Sequence, residues 1–359
     1  MKILNKKWMI SAAAAMLVAC NLAGVVQADN LPAGMTAENT VTVNKKVFVR
    51  NPKQSAKVNA KRKALINAEN ALSELQAKIK GQELATGGAS GFFRRIAESS
   101  SDDAKKQDAG YAYNLLTGQA EDTPNWYGKY VRLGQSTDAT SVQNLYKALP
   151  YYDQFIKLRQ KNGLSVPNVS LSTIAAAMLD ADYSSHVMDH ARHFDGSENL
   201  AWNSPEDPNS AWMSEESIWN KAVAKNPSLA QYKHDPYGMM QADASYYEKV
   251  GHYLNLIAPK MESIGYALNT QKNQYDDTEA FDADYANASY SIAEYKTAVT
   301  DYYNEIEKPD QVKAAKAKVK AAKKSLQSAI KQSKKAKSRR AKAKKHYRRV
   351  RRHNRNRRN

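Results

Sequence analysis

Residues 193–202 read HFDGSENLAW and place one acid, Glu198, between a histidine-bearing segment and the aromatic residue Trp202. Three neighbouring segments also combine histidines or acids with aromatic or apolar residues: SSHVMDHARHF (184–194), WMSEESIW (212–219) and GHYLNLIAP (251–259). Four of the five tryptophans, most prolines and most histidines lie between Gly87 and Gln271. This composition predicts one compact domain over residues 86–275.

Coarse patterning predicts an α+β domain in which helices enclose a small sheet. Helices are expected over residues 141–161 and 170–190, the second with Ser170 or Ser172 as its N-cap. Strand-like segments are residues 252–257 and 264–268, joined by a proline-containing turn.

The amino terminus is typical of a secretory signal peptide. Lys2, Lys6 and Lys7 precede an apolar run that continues to Val26 and ends before Asp29. We expect cleavage after Ala28, so the signal peptide is residues 1–28 and the protein is exported. The alternative is lipoprotein processing at Cys20, the chain's single cysteine. Cleavage after Ala28 would leave a mature chain without disulfide or thiol chemistry.

A spacer and a helix are predicted before the compact domain, and a helical flank is predicted after it. Residues 29–55 have no helical periodicity and read as an extended spacer. A helix is predicted over residues 56–85 and a helical flank over residues 276–330, both with apolar residues at alternating spacings of three and four. That spacing is coiled-coil-like, so the helices are expected to pack on one another or on the compact domain; oligomerisation through them stays open.

Positive charge is concentrated in the carboxyl-terminal part of the chain. Residues 308–359 contain 23 Lys and Arg against one acid, Asp310, a net charge of +22 within a total of +18, so the rest of the chain carries −4. The basic tail, residues 331–359, is too charged to bury a core and is predicted to be disordered, or only transiently helical, until it meets an anion.

The motifs ENLAW, the W-x-x-E of Trp212 to Glu215 and the GHY that begins at Gly251 occur in the order and neighbourhood of the CAP superfamily. Over residues 140–270 the chain resembles this superfamily, also called SCP-like, and within it the cysteine-free surface proteins of Gram-positive bacteria, including the surface-exclusion branch. The resemblance implies an α-β-α sandwich with a surface cleft.

In the family this cleft carries two histidines and two glutamates, and the resemblance places them at His190, Glu198, Glu215 and His252. Two positions depart from the family pattern: serine stands at 197, where the family has glycine, and Asn255 stands where glutamine is common. The first departure puts the loop conformation at Glu198 in question.

The residues leave several interpretations open. His186 and His193 compete with His190 for its position. Two imidazoles and two carboxylates suit Zn²⁺ or another divalent cation, and they also suit acid–base chemistry. They equally suit a purely structural polar cluster.

The basic tail predicts a phosphate-rich partner. Outside a Gram-positive cell, the arginines of the tail would neutralise an anionic wall polymer such as teichoic acid. Only Tyr347 is available to stack on a base, so specific nucleic-acid recognition is not expected. The candidate anion-binding residues are Arg348, Arg349, Arg351, Arg352, Arg355, Arg357 and Arg358.

These observations predict a secreted, cell-wall-associated protein whose cleft binds a divalent metal, a small apolar ligand or a peptide. One alternative is a metal-dependent hydrolase acting on wall peptide or protein. A second alternative is an extracellular nucleic-acid binder that acts through the tail.

Overall fold

The computed structural model describes residues 20–23, 42–273, 275–284 and 289–356. The chain divides into two compact units. The central unit contains Ile79–Lys308, and the terminal unit contains Thr40–Lys78 and Pro309–Asn359 together with residues near the amino terminus.

The elements follow one another in chain order, with a 3-10 helix over Pro227–Tyr232 between α9 and α10. They are β1 (Cys20–Ala23), β2 (Thr42–Lys45), α1 (Ala56–Thr86), α2 (Ala89–Ser99), α3 (Asp103–Leu116), α4 (Tyr127–Tyr130), α5 (Val142–Lys147), α6 (Leu149–Lys161), β3 (Asn168–Val169), α7 (Leu171–Val187), β4 (Ser197–Trp202), α8 (Pro208–Met213), α9 (Glu216–Lys225), α10 (Pro236–Ala242), α11 (Ala244–Tyr247), α12 (Gly251–Leu256), β5 (Ser263–Asn269), β6 (Thr278–Asp284), α13 (Ile292–Glu307) and α14 (Pro309–Asn356).

A four-stranded mixed sheet lies at the centre of the central unit, with strand order β3-β5-β6-β4. The β3–β5 pair is parallel, and the β5–β6 and β4–β6 pairs are antiparallel. This arrangement confirms the predicted α+β class. The strand β4, which carries the ENLAW motif, is an edge strand of the sheet. Segments that pack beside this edge can therefore contact its residues.

Helices lie against both faces of this sheet. On one face α7 approaches so closely that a Cβ on Gly265 of β5 would lie 2.5 Å from the backbone nitrogen of Ile174. On the other face, aromatic side chains of α6 and α8 pack on the strands, with Phe155 and Phe281 ring centroids 5.4 Å apart and Trp212 and Phe281 centroids 6.1 Å apart. Burial of these large side chains stabilises the sheet between its helices.

The helix predicted over residues 170–190 is confirmed as α7, with the Ser170 side chain accepting from the Thr173 N–H as its N-cap. The helix predicted over residues 141–161 is divided into α5 and α6, with Ala148 between them. The strand predicted over residues 252–257 is wrong, because Gly251–Leu256 is a short helix. Its apolar residues fit a buried helix as well as a strand, and periodicity does not separate the two over so short a run.

The predicted domain boundary at residue 275 differs from the central unit, which continues to Lys308. The strand β6 pairs with both β4 and β5, so the sheet depends on residues that the sequence assigned to the flank. The helix α13 begins with a capping box of Ser291 and Glu294 and buries one apolar stripe. That stripe consists of Ile292, Tyr295, Val299, Tyr302 and Ile306.

Within the terminal unit, α1 and α14 run antiparallel. Lys57 Nζ donates to Gln332 Oε1 at 3.0 Å, and Lys323 Nζ lies 3.9 Å from Glu69 Oε1. Val58, Val319 and Ala329 are buried. The predicted packing of the flanking helices on one another is therefore found here for α1 and α14.

The prediction of a disordered tail differs from the structure, in which α14 continues to Asn356. Residues 331–356 are rich in Lys, Arg and Ala and contain neither proline nor glycine, so intrinsic propensity favours a helix. The predicted signal peptide and spacer lie largely outside the described residues, apart from the antiparallel β1–β2 pair and the residues after it. Among the described residues, no helix is both long and apolar enough to cross a bilayer.

Candidate functional site

Two histidine–carboxylate pairs lie side by side in the central unit. His190 Nδ1 is 2.7 Å from Glu198 Oε2, and His252 Nδ1 is 2.6 Å from Glu215 Oε1. The two imidazole rings have centroids 6.4 Å apart and planes 26° apart. The structure thus brings together all four residues that the sequence singled out, although they come from four separate segments.

Glu198 lies in β4, and the preceding turn is set by glycine one residue earlier than in the family pattern. Gly196 has φ of 130°, and a Cβ there would lie 2.7 Å from the carbonyl oxygen of Ala283. Ser197 is already part of the strand. The position that needs glycine is therefore occupied by glycine, and serine at 197 imposes no strain at Glu198.

Glu215 lies between α8 and α9 and holds the start of α12 at two points. Its Oε1 faces the His252 ring, and its Oε2 accepts from the Tyr253 backbone N–H at 3.1 Å. The helix α8 is attached to β4 through Trp212, whose indole Nε1–H donates to the Leu200 carbonyl at 2.8 Å. This bond holds the segment that carries Glu215 against the edge strand β4.

His190 follows α7, whose C-cap residue, Met188, has the left-handed backbone conformation. The two competing histidines have other neighbours. His186 Nδ1 lies 3.1 Å from the carbonyl oxygen of Asp182 in its own helix, and His193 Nε2 lies 2.6 Å from the carbonyl oxygen of Asp122. Within the described part of the chain, His190 is the one of these three histidines that contacts Glu198.

An amide network supports the pair formed by His252. Asn199 Nδ2 donates to the His252 carbonyl at 3.0 Å, and Asn255 Nδ2 donates to Asn199 Oδ1 at 2.9 Å. The Tyr247 hydroxyl donates to Asn255 Oδ1 at 3.0 Å. Asn255, which departs from the glutamine expected at this position, thus completes a partly buried chain of hydrogen bonds.

Both carboxylates are less exposed than the rings that they contact. The side chains of Glu198 and Glu215 are 17% and 16% exposed, against 36% and 30% for His190 and His252. The hydrogen bond with Glu198 raises the pKa of His190 above its ordinary value, against an opposing effect of burial. Carboxylate contact at Nδ1 fixes each ring and leaves Nε2 as the nitrogen available for a ligand.

This geometry decides which residues would hold a metal. Because each glutamate contacts an imidazole Nδ1, the two histidines fit as direct ligands through Nε2, and the glutamates fit as the groups that orient them. Two imidazoles are fewer than the three or four protein ligands of most zinc sites, so other positions would remain for water or a ligand. The residues therefore fit a divalent metal with an open coordination sphere.

The candidate anion-binding arginines lie at the end of α14. Arg348, Arg349, Arg351, Arg352 and Arg355 are all exposed. Arg357 and Arg358 lie outside the described residues. At 100° per residue these five side chains lie within about half of the helix circumference, so the exposed helix presents one strongly positive face that suits a flexible polyanion.

No protein-family model matches this sequence, and no curated protein matches it.

Proposed function

We propose that a divalent metal, zinc in the first instance, binds between His190 and His252. One observation carries the proposal: both imidazoles have Nδ1 within hydrogen-bond distance of a carboxylate, while their rings lie 6.4 Å apart. Carboxylate–histidine pairs of this kind orient imidazoles for metal binding and raise their basicity.

The fold that supports this cleft is proposed to be of the CAP type. Its support is the mixed sheet with helices against both faces and the four motif residues gathered beside the edge strand β4. In this proposal a peptide or a small apolar ligand binds beside the metal, and the protein acts as a binding module on the cell surface. Bound zinc would supply Lewis acidity to a ligand oxygen.

Calorimetric zinc titration of the full chain tests the proposal. The double variant His190→Ala, His252→Ala is expected to lose saturable binding of one equivalent. The matched control His186→Ala, His193→Ala removes two nearby histidines outside the pairs and is expected to retain it. Equal binding in both variants, or no binding in the unaltered chain, would contradict the proposal.

Metal-dependent hydrolysis of wall peptide or protein remains the second candidate, favoured by the same open positions. It requires turnover that disappears in a folded His252→Ala variant. A binding module requires saturable ligand binding without turnover.

The arginine-rich end of α14 is proposed to retain the protein on anionic wall polymers after export. The support is the exposure of its arginines and the concentration of charge in this part of the chain. Counterion release from a polyphosphate backbone would supply much of the affinity.

A further inference from the structure

Three carboxylates from distant parts of the sequence meet on the sheet face covered by α7. Glu198 of β4 and Asp282 of β6 are direct register partners, so their side chains lie on the same face. Asp180 comes from α7. One oxygen of each of the three carboxylates lies within 4.8 Å of the other two.

Close packing of α7 brings the third carboxylate to the sheet. Asp282 is also the register partner of Gly265, where a Cβ would lie 2.5 Å from the backbone nitrogen of Ile174 in α7. A side chain at 265 would separate the helix from the strands. Because Gly265 has no side chain, α7 packs closely against the sheet, and Asp180 lies further along the same helix.

Most of these carboxylate oxygens are buried without a hydrogen-bond donor. Asp180 is 3% exposed and Asp282 is 8% exposed. Asp180 Oδ1, Glu198 Oε1 and both oxygens of Asp282 are buried and, apart from a hydrogen bond between Asp180 and Asp282 when one of the two is protonated, have no hydrogen-bond donor among the described residues. Burial and the neighbouring carboxylates raise the pKa of Asp180 and Asp282 well above the ordinary range. Such a cluster is costly unless something positive compensates it.

No basic side chain provides that compensation among the described residues. The three carboxylates line a cavity of about 380 Å³, whose lining also includes Arg192 and His193. The Arg192 guanidinium lies 3.4 Å from Asp189, and His193 Nε2 contacts the carbonyl oxygen of Asp122. The cavity volume would hold an ion with several waters, since each water occupies about 30 Å³ in the liquid.

We propose that Asp180, Glu198 and Asp282 bind a hard divalent cation such as Ca²⁺ or Mg²⁺, with water completing its coordination. An all-oxygen set of carboxylates is the chemistry that these cations prefer, whereas zinc favours imidazole and thiolate. This site goes beyond the zinc site of the cleft and shares only Glu198 with it. Glu198 Oε2 contacts His190, and Glu198 Oε1 is buried without a hydrogen-bond partner among the described residues.

The alternative occupant of this cluster is a proton shared between Asp180 and Asp282. It would neutralise one charge without any metal, as in other closely spaced carboxyl pairs. Cation titration and one infrared band separate the two; the band is the part of the protonated-carboxyl absorption that disappears in Asp282→Asn, because other buried carboxyls such as Glu279 absorb there too. Ca²⁺ binding at the cluster should remove that band, whereas a proton-shared pair should retain it at saturating Ca²⁺.

The experiment is titration of the full chain with Ca²⁺, and in parallel with Mg²⁺, monitored by calorimetry and thermal unfolding. The unaltered chain is expected to bind one equivalent and to unfold at a higher temperature with the cation. Asp282→Asn, which preserves side-chain shape, is expected to weaken binding at least about tenfold and to abolish the thermal shift. Asp180→Asn should behave in the same way.

Asp195→Asn is the matched control, because Asp195 lines the same cavity outside the cluster and its loss removes the same charge. It should leave affinity within about twofold of the unaltered chain. Absence of saturable Ca²⁺ and Mg²⁺ binding, equal affinity in Asp282→Asn, or a carboxyl band that persists at saturation would overturn the proposal.

Failure here is distinguishable from failure of the zinc site. His252→Ala should retain Ca²⁺ binding, because His252 contributes nothing to the carboxylate cluster. Asp282→Asn should retain zinc binding, because both imidazoles are intact. Loss of both metals in either variant would instead indicate one shared site and overturn the assignment of two.

Discussion

The two oxygens of Glu198 lie in different surroundings. Oε2 contacts the His190 ring at 2.7 Å, and Oε1 is buried without a hydrogen-bond donor among the described residues, in a side chain that also clusters with Asp180 and Asp282. The motif was enough to single out Glu198 from the sequence. Its second environment was not predictable, because it depends on the β4–β6 register and on the closeness of α7. No local sequence signal specifies either.

Glu279 of β6 provides a test of buried charge at the scale of one residue. Its side chain is buried, Oε2 accepts from the Ser204 N–H at 3.2 Å, and Oε1 has no hydrogen-bond partner among the described residues. Burial raises its pKa from 4.5 to about 8. The folded state therefore binds a proton that the unfolded state has released between about pH 4.5 and 8, so this group's contribution to stability falls as pH rises through that window.

We expect Glu279→Gln to flatten this part of the stability–pH curve and to raise the free energy of unfolding at pH 8 by on the order of 1–3 kcal/mol. Urea unfolding at several pH values measures it. The control is Glu248→Gln, which changes an exposed acid and should leave the curve unaltered. A Glu279→Gln variant that is less stable at pH 8 than the unaltered chain would show that the buried carboxylate is needed as an anion.

At the scale of elements, α7, α1 and the strand β5 could be predicted, whereas the short helix α12 and the carboxyl-terminal half of α14 could not. The helix α7 was found from its N-cap serine, and α1 from its apolar spacing. In contrast, α12 has only one and a half turns and is fixed by Glu215, which lies far from it in sequence. Phe281 shares the spacing of α13 but lies in β6, because strand pairing decides its structure.

Gly265 tests the packing of α7 on the sheet. A Cβ at this position would lie 2.5 Å from Ile174 N and 2.6 Å from the carbonyl carbon of Thr173, both backbone atoms that cannot move alone. Gly265→Ala is therefore expected to lower the free energy of unfolding by about 2 kcal/mol or more.

Gly110→Ala is the control for Gly265→Ala. Gly110 lies in α3, and beyond the backbone of its own helix a Cβ at this position would meet no atom within 4 Å. Alanine should therefore stabilise the helix by about 0.5–1 kcal/mol. Urea denaturation compares the two variants. Equal stability of Gly265→Ala and the unaltered chain would show that α7 does not depend on close approach at this strand.

At the scale of the whole molecule, positive charge is concentrated at the carboxyl-terminal end of the sequence. Residues 308–359 carry a net charge of +22, and the remainder carries −4. Composition alone revealed this division. The boundary of the central unit at Lys308 did not follow from composition, because β6 and α13 resemble the helical flank in sequence and are recognised only by what they pack against.

Arginine neutralisation tests the role of the tail. Changing the seven arginines Arg348, Arg349, Arg351, Arg352, Arg355, Arg357 and Arg358 to glutamine should weaken binding to a poly(glycerol phosphate) and flatten its dependence on salt. Changing the same residues to lysine keeps the charge and should preserve the salt slope. Titrations between about 50 and 200 mM salt compare the three proteins. A glutamine variant with an unchanged slope would contradict electrostatic retention by the tail.

The position of bound zinc tests the proposed metal site most directly. Crystals of the full chain grown with one equivalent of zinc would be measured by anomalous diffraction at the zinc edge. We predict a peak about 2.0–2.1 Å from Nε2 of both His190 and His252, with Glu198 and Glu215 still on the Nδ1 sides of the rings. No peak, or a peak only at other histidines or at the carboxylate cluster, would contradict the zinc site.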